Sequence, residues 1–378
     1  MYDLEFVSQQ NNAWKDKFFS FSFIYIFLIV VLALIGTLTL YSAANGSWEP
    51  WAIKHISRFG VAFVLMLGLA MIDVKKYYHF AYIFYFMTLL MLVAVEVTGH
   101  IGMGAQRWIN LGLFKVQPSE LMKIGIVLFL ARYFSSITEQ GILSTKSLII
   151  PAIMTLLPVG FIALQPDLGT SLMVLLTATI MTFAVGVQWW KFALVGAFGG
   201  ACLPVVWNLL HEYQQNRILT FLNPERDPLG AGYHIIQSKI AFGSGGIFGK
   251  GFLHGTQTHL NFLPEKHTDF IFTMFSEEFG LAGSLTIVFL NMFVLALGYV
   301  CAFRCRNYFA RLTIIGLNTN YFLYVFINIA MVMGVLPVVG IPLPLISYGG
   351  TVMFSIMASF GIILCMSVSN QSKLLGFN

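Results

Sequence analysis

The side chains able to do chemistry in this chain gather in a few short strings. Leu263-Pro264-Glu265-Lys266-His267-Thr268-Asp269-Phe270 sets two carboxylates, an ammonium and an imidazole at the edge of a long apolar run. That company suits proton transfer or the handling of phosphate. Asp269 also has a second reading, because an Asp at a helix start caps it by accepting backbone N–H bonds at the positive end of the dipole. A second string reads Gln106-Arg107-Trp108-Ile109-Asn110 and continues to Gln117-Pro118-Ser119-Glu120, with Lys123 after it. Pro118 fits the first position of a helix, where its missing N–H costs little. Glu120 and Lys123, three apart on that helix, can neutralise each other on one face. Ionisable residues inside an apolar span are expensive, however, and normally face a bundle interior or a wet cavity. Asp167 follows Gln165-Pro166 as a further carboxylate, and Lys250 stands between Gly249 and Gly251. Glu96 reads as interfacial, and Glu277 and Glu278 as either packing or functional groups.

These strings sit in an unusually apolar chain. Of 378 residues, 58% are hydrophobic and 10% charged, mean hydropathy is +0.80, and 36 residues are Phe. A soluble chain is roughly a quarter charged, so this composition excludes a soluble enzyme, a disordered segment and a nucleic-acid binder. The net charge of +5 then reports loop orientation instead of a nucleic-acid footprint. The four cysteines have neither CxxC nor CxxH spacing and read as reduced packing residues.

Lys, Arg, Asp and Glu are absent from 18–48, 77–95, 147–166, 168–190, 192–211, 279–303 and 312–372. About 20 apolar residues span the hydrocarbon core as a helix. The last gap, 61 residues long, holds two spans broken by the proline-rich stretch Pro337–Pro344. The expected fold is all-α: one integral domain over 1–378 with about ten transmembrane helices, near 21–43, 56–73, 79–98, 118–134, 147–164, 168–186, 190–211, 270–302, 312–337 and 349–369. Continuous apolar runs argue against a barrel, which alternates with period two. The first run is too long for a cleaved signal sequence and reads as an uncleaved span.

Short loops that carry Lys and Arg stay cytoplasmic. With the N-terminus inside, the inner segments hold eleven (Lys15 and Lys17 through Lys373) against four outside: Lys54, Arg58, Arg107 and Lys115. Both termini are therefore expected in the cytoplasm. The long segment 212–269, between the seventh and eighth helices, becomes a periplasmic loop. Its aromatic residues and its Gly243-Ser244-Gly245-Gly246 and Gly249-Lys250-Gly251 runs suggest a compact cap or a backbone that approaches a ligand closely.

Taken together, these strings, with Asp167-Leu168-Gly169-Thr170 and Ile346-Ser347-Tyr348-Gly349-Gly350-Thr351, resemble the SEDS (shape, elongation, division and sporulation) family of bacterial peptidoglycan polymerases, the RodA and FtsW type. The likeness runs from the first helix to the last. Asp227-Pro228-Leu229-Gly230-Ala231-Gly232-Tyr233-His234 and Leu260-Asn261-Phe262-Leu263-Pro264-Glu265 are similar to the elongation branch.

The resemblance implies an inverting glycosyltransferase that joins lipid II units into glycan strands at the outer face of the inner membrane, serving cell elongation and rod shape. Asp269 matches the catalytic Asp of the family's His-Thr-Asp motif. Arg107, Trp108, Glu120, Lys123, Asp167, Lys250, Lys266 and His267 are the expected substrate-binding residues. Arg107, Lys123, Lys250 and Lys266 are candidates for the leaving diphosphate, which needs cationic donors. Trp108 suits stacking on a sugar or an interfacial belt. A Mg²⁺ or Mn²⁺ requirement follows from the habit of hard cations to bridge carboxylate and phosphate, without a dedicated cage in the sequence. Expected partners are a class B penicillin-binding protein and other membrane proteins of an elongation complex. Two other classes remain: a lipid II flippase, which would need matching polar groups on the cytoplasmic side, and a scaffold, which would leave the buried charges unexplained.

Overall fold

The computed structural model describes residues 23–98, 100–102, 105–110, 115–209, 212–227, 230–256 and 266–374. Helices occupy all ten expected places. They are α1 (Phe23–Ala43), α2 (Ala52–Ala70), α3 (Val74–Thr98), α4 (Pro118–Ser135), α6 (Ile149–Leu164), α7 (Leu168–Ala184), α8 (Trp189–Leu209), α11 (Ile271–Arg304), α12 (Tyr308–Val332) and α13 (Gly350–Leu374). The shorter α5 (Glu139–Leu143) lies between α4 and α6. Seven helices among the described residues are long and apolar enough to cross a membrane, so the chain is a multi-pass membrane protein.

Several helices extend beyond the expected boundaries. α2 begins at Ala52 and includes Lys54 and Arg58, and α3 begins at Val74 and includes Lys75 and Lys76. Long basic side chains in a terminal turn reach water along their stems, so the helix outlasts the charge-free run. The segment 212–269 departs further from expectation. Its described residues include the helices α9 (Glu212–Leu222) and α10 (Ala231–Ser244), the second packed against α11. Lys15 and Lys17 lie outside the described residues, as do Pro264 and Glu265.

α12 lies at the centre: 78% of its most apolar window is buried and 72% of that of α13, against 22% for α2. α12 packs on α4, α7 and α11, while α13 packs on α2 and α12. A small antiparallel sheet of β1 (His100–Gly102), β2 (Ala105–Asn110) and β3 (Lys115–Val116) leads into α4, with Ile109 opposite Val116. It holds Arg107 and Trp108 over the entrance to that helix.

Candidate active site

Asp167 is fixed first. It caps α7, accepting the Thr170 N–H at 3.2 Å through Oδ1, while Oδ2 accepts from Gln117 Nε2 at 3.3 Å. Arg107 Nε lies 3.9 Å from the same Oδ2 and donates to the Gln165 carbonyl at 3.1 Å; its Nη2 donates to the Pro166 carbonyl. The turn between α6 and α7 is thus tied to the β2 strand by one guanidinium, which stays 31% exposed. Trp108, beside it, is half-buried.

One helix start away, Pro118 is the first residue of α4 and puts Glu120 in its first turn, where the helix dipole favours a carboxylate. Lys123 Nζ donates to Glu120 Oε1 at 2.6 Å and also to the Tyr324 hydroxyl, over whose ring it sits 4.2 Å from the centroid. The other carboxylate oxygen accepts from Tyr324 at 2.6 Å and from Ser355 at 2.8 Å. Glu120 and Lys123 are therefore more than a neutralised pair on one helix, because α12 and α13 each supply a side chain. With Lys123 only 1% exposed, this is a fully desolvated network, in which every member must be satisfied.

Asp269 lies in the turn 266–270 ahead of α11, half-buried. The cap position of that helix is Phe270, with no side-chain cap bond, and Asp269 stands one residue before it. Its backbone is held in place: Asn328 Nδ2 on α12 donates to the Asp269 carbonyl at 3.0 Å and to the Ile341 carbonyl at 2.7 Å. A Cβ built on Gly340 would stand 3.6 Å from Asp269 Oδ2, an ordinary contact distance, so the carboxylate faces this glycine. Next to it, the His267 ring stacks on Trp51, 4.5 Å between centroids and 9° between planes, and its carbonyl accepts the Tyr348 N–H at 2.9 Å. The Arg58 guanidinium lies 4.5 Å over the Tyr348 ring. Lys266 is buried, which lowers its ammonium pKa from the usual lysine range.

α12 and the proline-rich segment join these groups. Tyr324 and Asn328 are one helical turn apart, so the Glu120–Lys123 network and the anchor of Asp269 occupy one face of α12. The segment 337–349 runs from Gly340 beside Asp269 to Val339 and Ile341 beside Gly169, two residues after Asp167. Arg107, Glu120, Lys123, Asp167, Lys266, His267 and Asp269 thus stand at one end of the bundle. Lys250 is placed apart, paired with Glu277 at 2.7 Å. Sequence reasoning passed over Trp51, Arg58, Tyr324, Asn328 and Ser355. The usable signal was the recurrence of polar side chains at helical spacing within a charge-free span, as in Asn320, Tyr324 and Asn328.

The fold and site define an all-helical polytopic membrane protein whose carboxylates and cations converge at one end of the bundle. The chain belongs to the FTSW_RODA_SPOVE family of cell cycle proteins, whose model matches residues 16–372. It is 42% identical over 350 residues to peptidoglycan glycosyltransferase MrdB of Escherichia coli, covering 92% of this chain and 93% of that protein. Peptidoglycan glycosyltransferase RodA of Treponema pallidum is 30% identical, with 92% and 97% covered. Among solved structures, a chain of a peptidoglycan synthase complex superposes with a TM-score of 0.80 at 30% identity over 93% of this chain and 98% of its own. RodA of Thermus thermophilus gives 0.67 at 28% identity, over 92% and 97%.

Proposed function

We propose that the protein is a peptidoglycan glycosyltransferase of the RodA type, polymerising lipid II at the outer face of the inner membrane for cell elongation. The observation that carries this reading is the placement of Asp269 in the turn ahead of α11, with its carbonyl held by Asn328 and its Oδ2 facing Gly340. Identity to MrdB of 42%, against 31% to FtsW of Aliivibrio salmonicida, supports the elongation branch.

In the reaction, the 4-hydroxyl of the GlcNAc on one lipid-linked unit gives its proton to the Asp269 carboxylate. The freed oxygen lone pair forms the bond to C1 of the MurNAc on another unit. The bond from C1 to the diphosphate oxygen breaks, and its electron pair leaves on undecaprenyl diphosphate. An α-linked donor becomes a β-linked product, so one displacement and one base suffice. Arg107, partly exposed and bidentate in character, meets the diphosphate better than Lys123, which is locked against Glu120. Among the described residues no three His, Cys, Asp or Glu side chains converge. A Mg²⁺ or Mn²⁺ ion here would be held by one or two carboxylates, with the diphosphate supplying further oxygens. A class B penicillin-binding protein is the proposed partner, because one structural relative acts in a complex that coordinates polymerization with crosslinking. Both termini are placed in the cytoplasm by the bias of Lys and Arg.

The test is polymerisation of labelled lipid II by the purified protein, with and without a class B penicillin-binding protein. Glycan strands are expected, and their absence under both conditions would overturn the reading in favour of transport or scaffolding.

A further inference from the structure

α11 runs through 34 residues, yet it is broken at Gly280, which has φ +65° and ψ −159°. In an unbroken helix the Leu281 and Ala282 amides would bond the Glu277 and Glu278 carbonyls. Here the stretch 246–251 takes over all four groups. Leu281 N donates to the Gly246 carbonyl at 2.9 Å and Ala282 N to that of Ile247 at 3.0 Å. Lys250 N and Gly251 N donate to the Glu277 and Glu278 carbonyls, each at 3.0 Å. Backbone groups left open by the break need partners, and this inserted stretch supplies them. The fit demands glycine: a Cβ on Gly249, itself at φ +80°, would lie 2.0 Å from the Glu278 carbonyl oxygen.

Side chains fasten the insertion. Lys250 Nζ lies 2.7 Å from Glu277 Oε1 and 2.8 Å from Thr256 Oγ1, which itself donates to that carboxylate at 3.1 Å. Glu278 is pinned to Ser42 on α1. Both glutamates are fully buried. The half of α11 on the near side of the break, 271–279, begins two residues after Asp269. The angle at Gly280 therefore bears on where the turn that holds Asp269 stands, together with its anchor on Asn328.

We propose that Lys250, Thr256 and Glu277 are positioning residues, a polar latch that holds the 246–251 insertion in the broken helix and so sets the Asp269 carboxylate for transfer. The proposal rests on the glycosyltransferase reading for the activity it would affect, and it moves Lys250 from the diphosphate to the latch. The alternative it displaces makes a different demand on kinetics. A lysine on diphosphate would be missed in substrate binding, and Glu277 would then be dispensable. A latch is lost equally from either end, and losing both ends is no worse than losing one.

The experiment compares the full-length protein with Lys250→Met, Glu277→Gln, the double variant, and Thr256→Val as a milder change that spares the buried charges. Two measurements are made: lipid II polymerisation and hydrogen exchange at the Lys250, Gly251, Leu281 and Ala282 amides. The expected result is a loss of about 10²-fold in kcat for each of the first two, since small misplacement of a reacting group costs that much. KM stays within about twofold, the double variant matches the singles, and Thr256→Val shows a smaller fall in kcat at the same KM. Exchange at the four amides becomes about tenfold faster or more in the charge variants and intermediate in Thr256→Val. Unchanged exchange at those amides would overturn the latch. So would a Lys250→Met protein with raised KM beside a fully active Glu277→Gln. If the unaltered protein makes no glycan while the exchange differences hold, the glycosyltransferase reading fails and the latch stands.

Discussion

At the scale of the residue, Asp269 and the Glu120–Lys123 pair make opposite demands on a substitution. Phe270, not Asp269, holds the cap position of α11, and the Asp269 carbonyl stays on Asn328 whatever the side chain is. Asp269→Asn should therefore insert and fold normally and bind its partner. Its polymerisation of lipid II should fall by about 10²–10⁴-fold, the usual contribution of a general base; near-normal glycan synthesis would leave the base unassigned. For Glu120 and Lys123, removing one charge strands the other in a desolvated network, a loss of about 3–5 kcal/mol, whereas removing both is often neutral. Lys123→Met alone should lower thermal stability, and Lys123→Met combined with Glu120→Gln should recover it without recovering activity. An active double variant would reduce the pair to internal neutralisation.

At the scale of the element, the break in α11 is a backbone feature that one methyl group can test. Gly280 sits at φ +65°, where a non-glycine residue costs about 1–3 kcal/mol. A Cβ there would also meet the Gly249 nitrogen at 2.3 Å and the Ile247 carbonyl oxygen at 2.6 Å. Gly280→Ala is expected to lower the Tm of the purified protein and to loosen the 246–251 insertion together with it. An unchanged Tm would mean that α11 can run straight through this position. The glycine runs of this region, expected to form a compact cap or to bring backbone close to a ligand, bring it close to another helix: a Cβ on Gly245 would lie 2.2 Å from the Ser276 carbonyl oxygen.

At the scale of the whole molecule, orientation decides whether the site meets lipid II on the outer face. The proposed placement puts the short helical turn Pro224–Arg226, which carries exposed Glu225, in the periplasm and Arg306 in the cytoplasm. With the four native cysteines replaced, Glu225→Cys should react with a membrane-impermeant maleimide in intact cells with a permeabilised outer membrane. Arg306→Cys should react only after the inner membrane is opened. The reverse pattern would turn the active site inward and exclude polymerisation on the outer face.

The ten helix positions, the all-α class and the family were legible in the sequence, because a span written in continuous apolar residues carries its own length requirement. The motifs around Arg107, Glu120, Asp167 and Asp269 were legible because ionisable side chains beside apolar runs are too costly to be accidental. Local pattern could not decide whether Asp269 stands at the cap of α11 or one residue before it, since that depends on where the helix begins. It could not supply Asn328 as the anchor of that turn, or Tyr324 and Ser355 as partners of Glu120, each more than 200 positions away in the chain. Nor could it show that Lys250 answers to Glu277, or that a stretch taken for a loop completes the hydrogen bonds of a broken helix. Those facts belong to tertiary structure: apolar spans specify only that helices cross the bilayer, and which buried polar groups meet is decided by how the helices pack against one another.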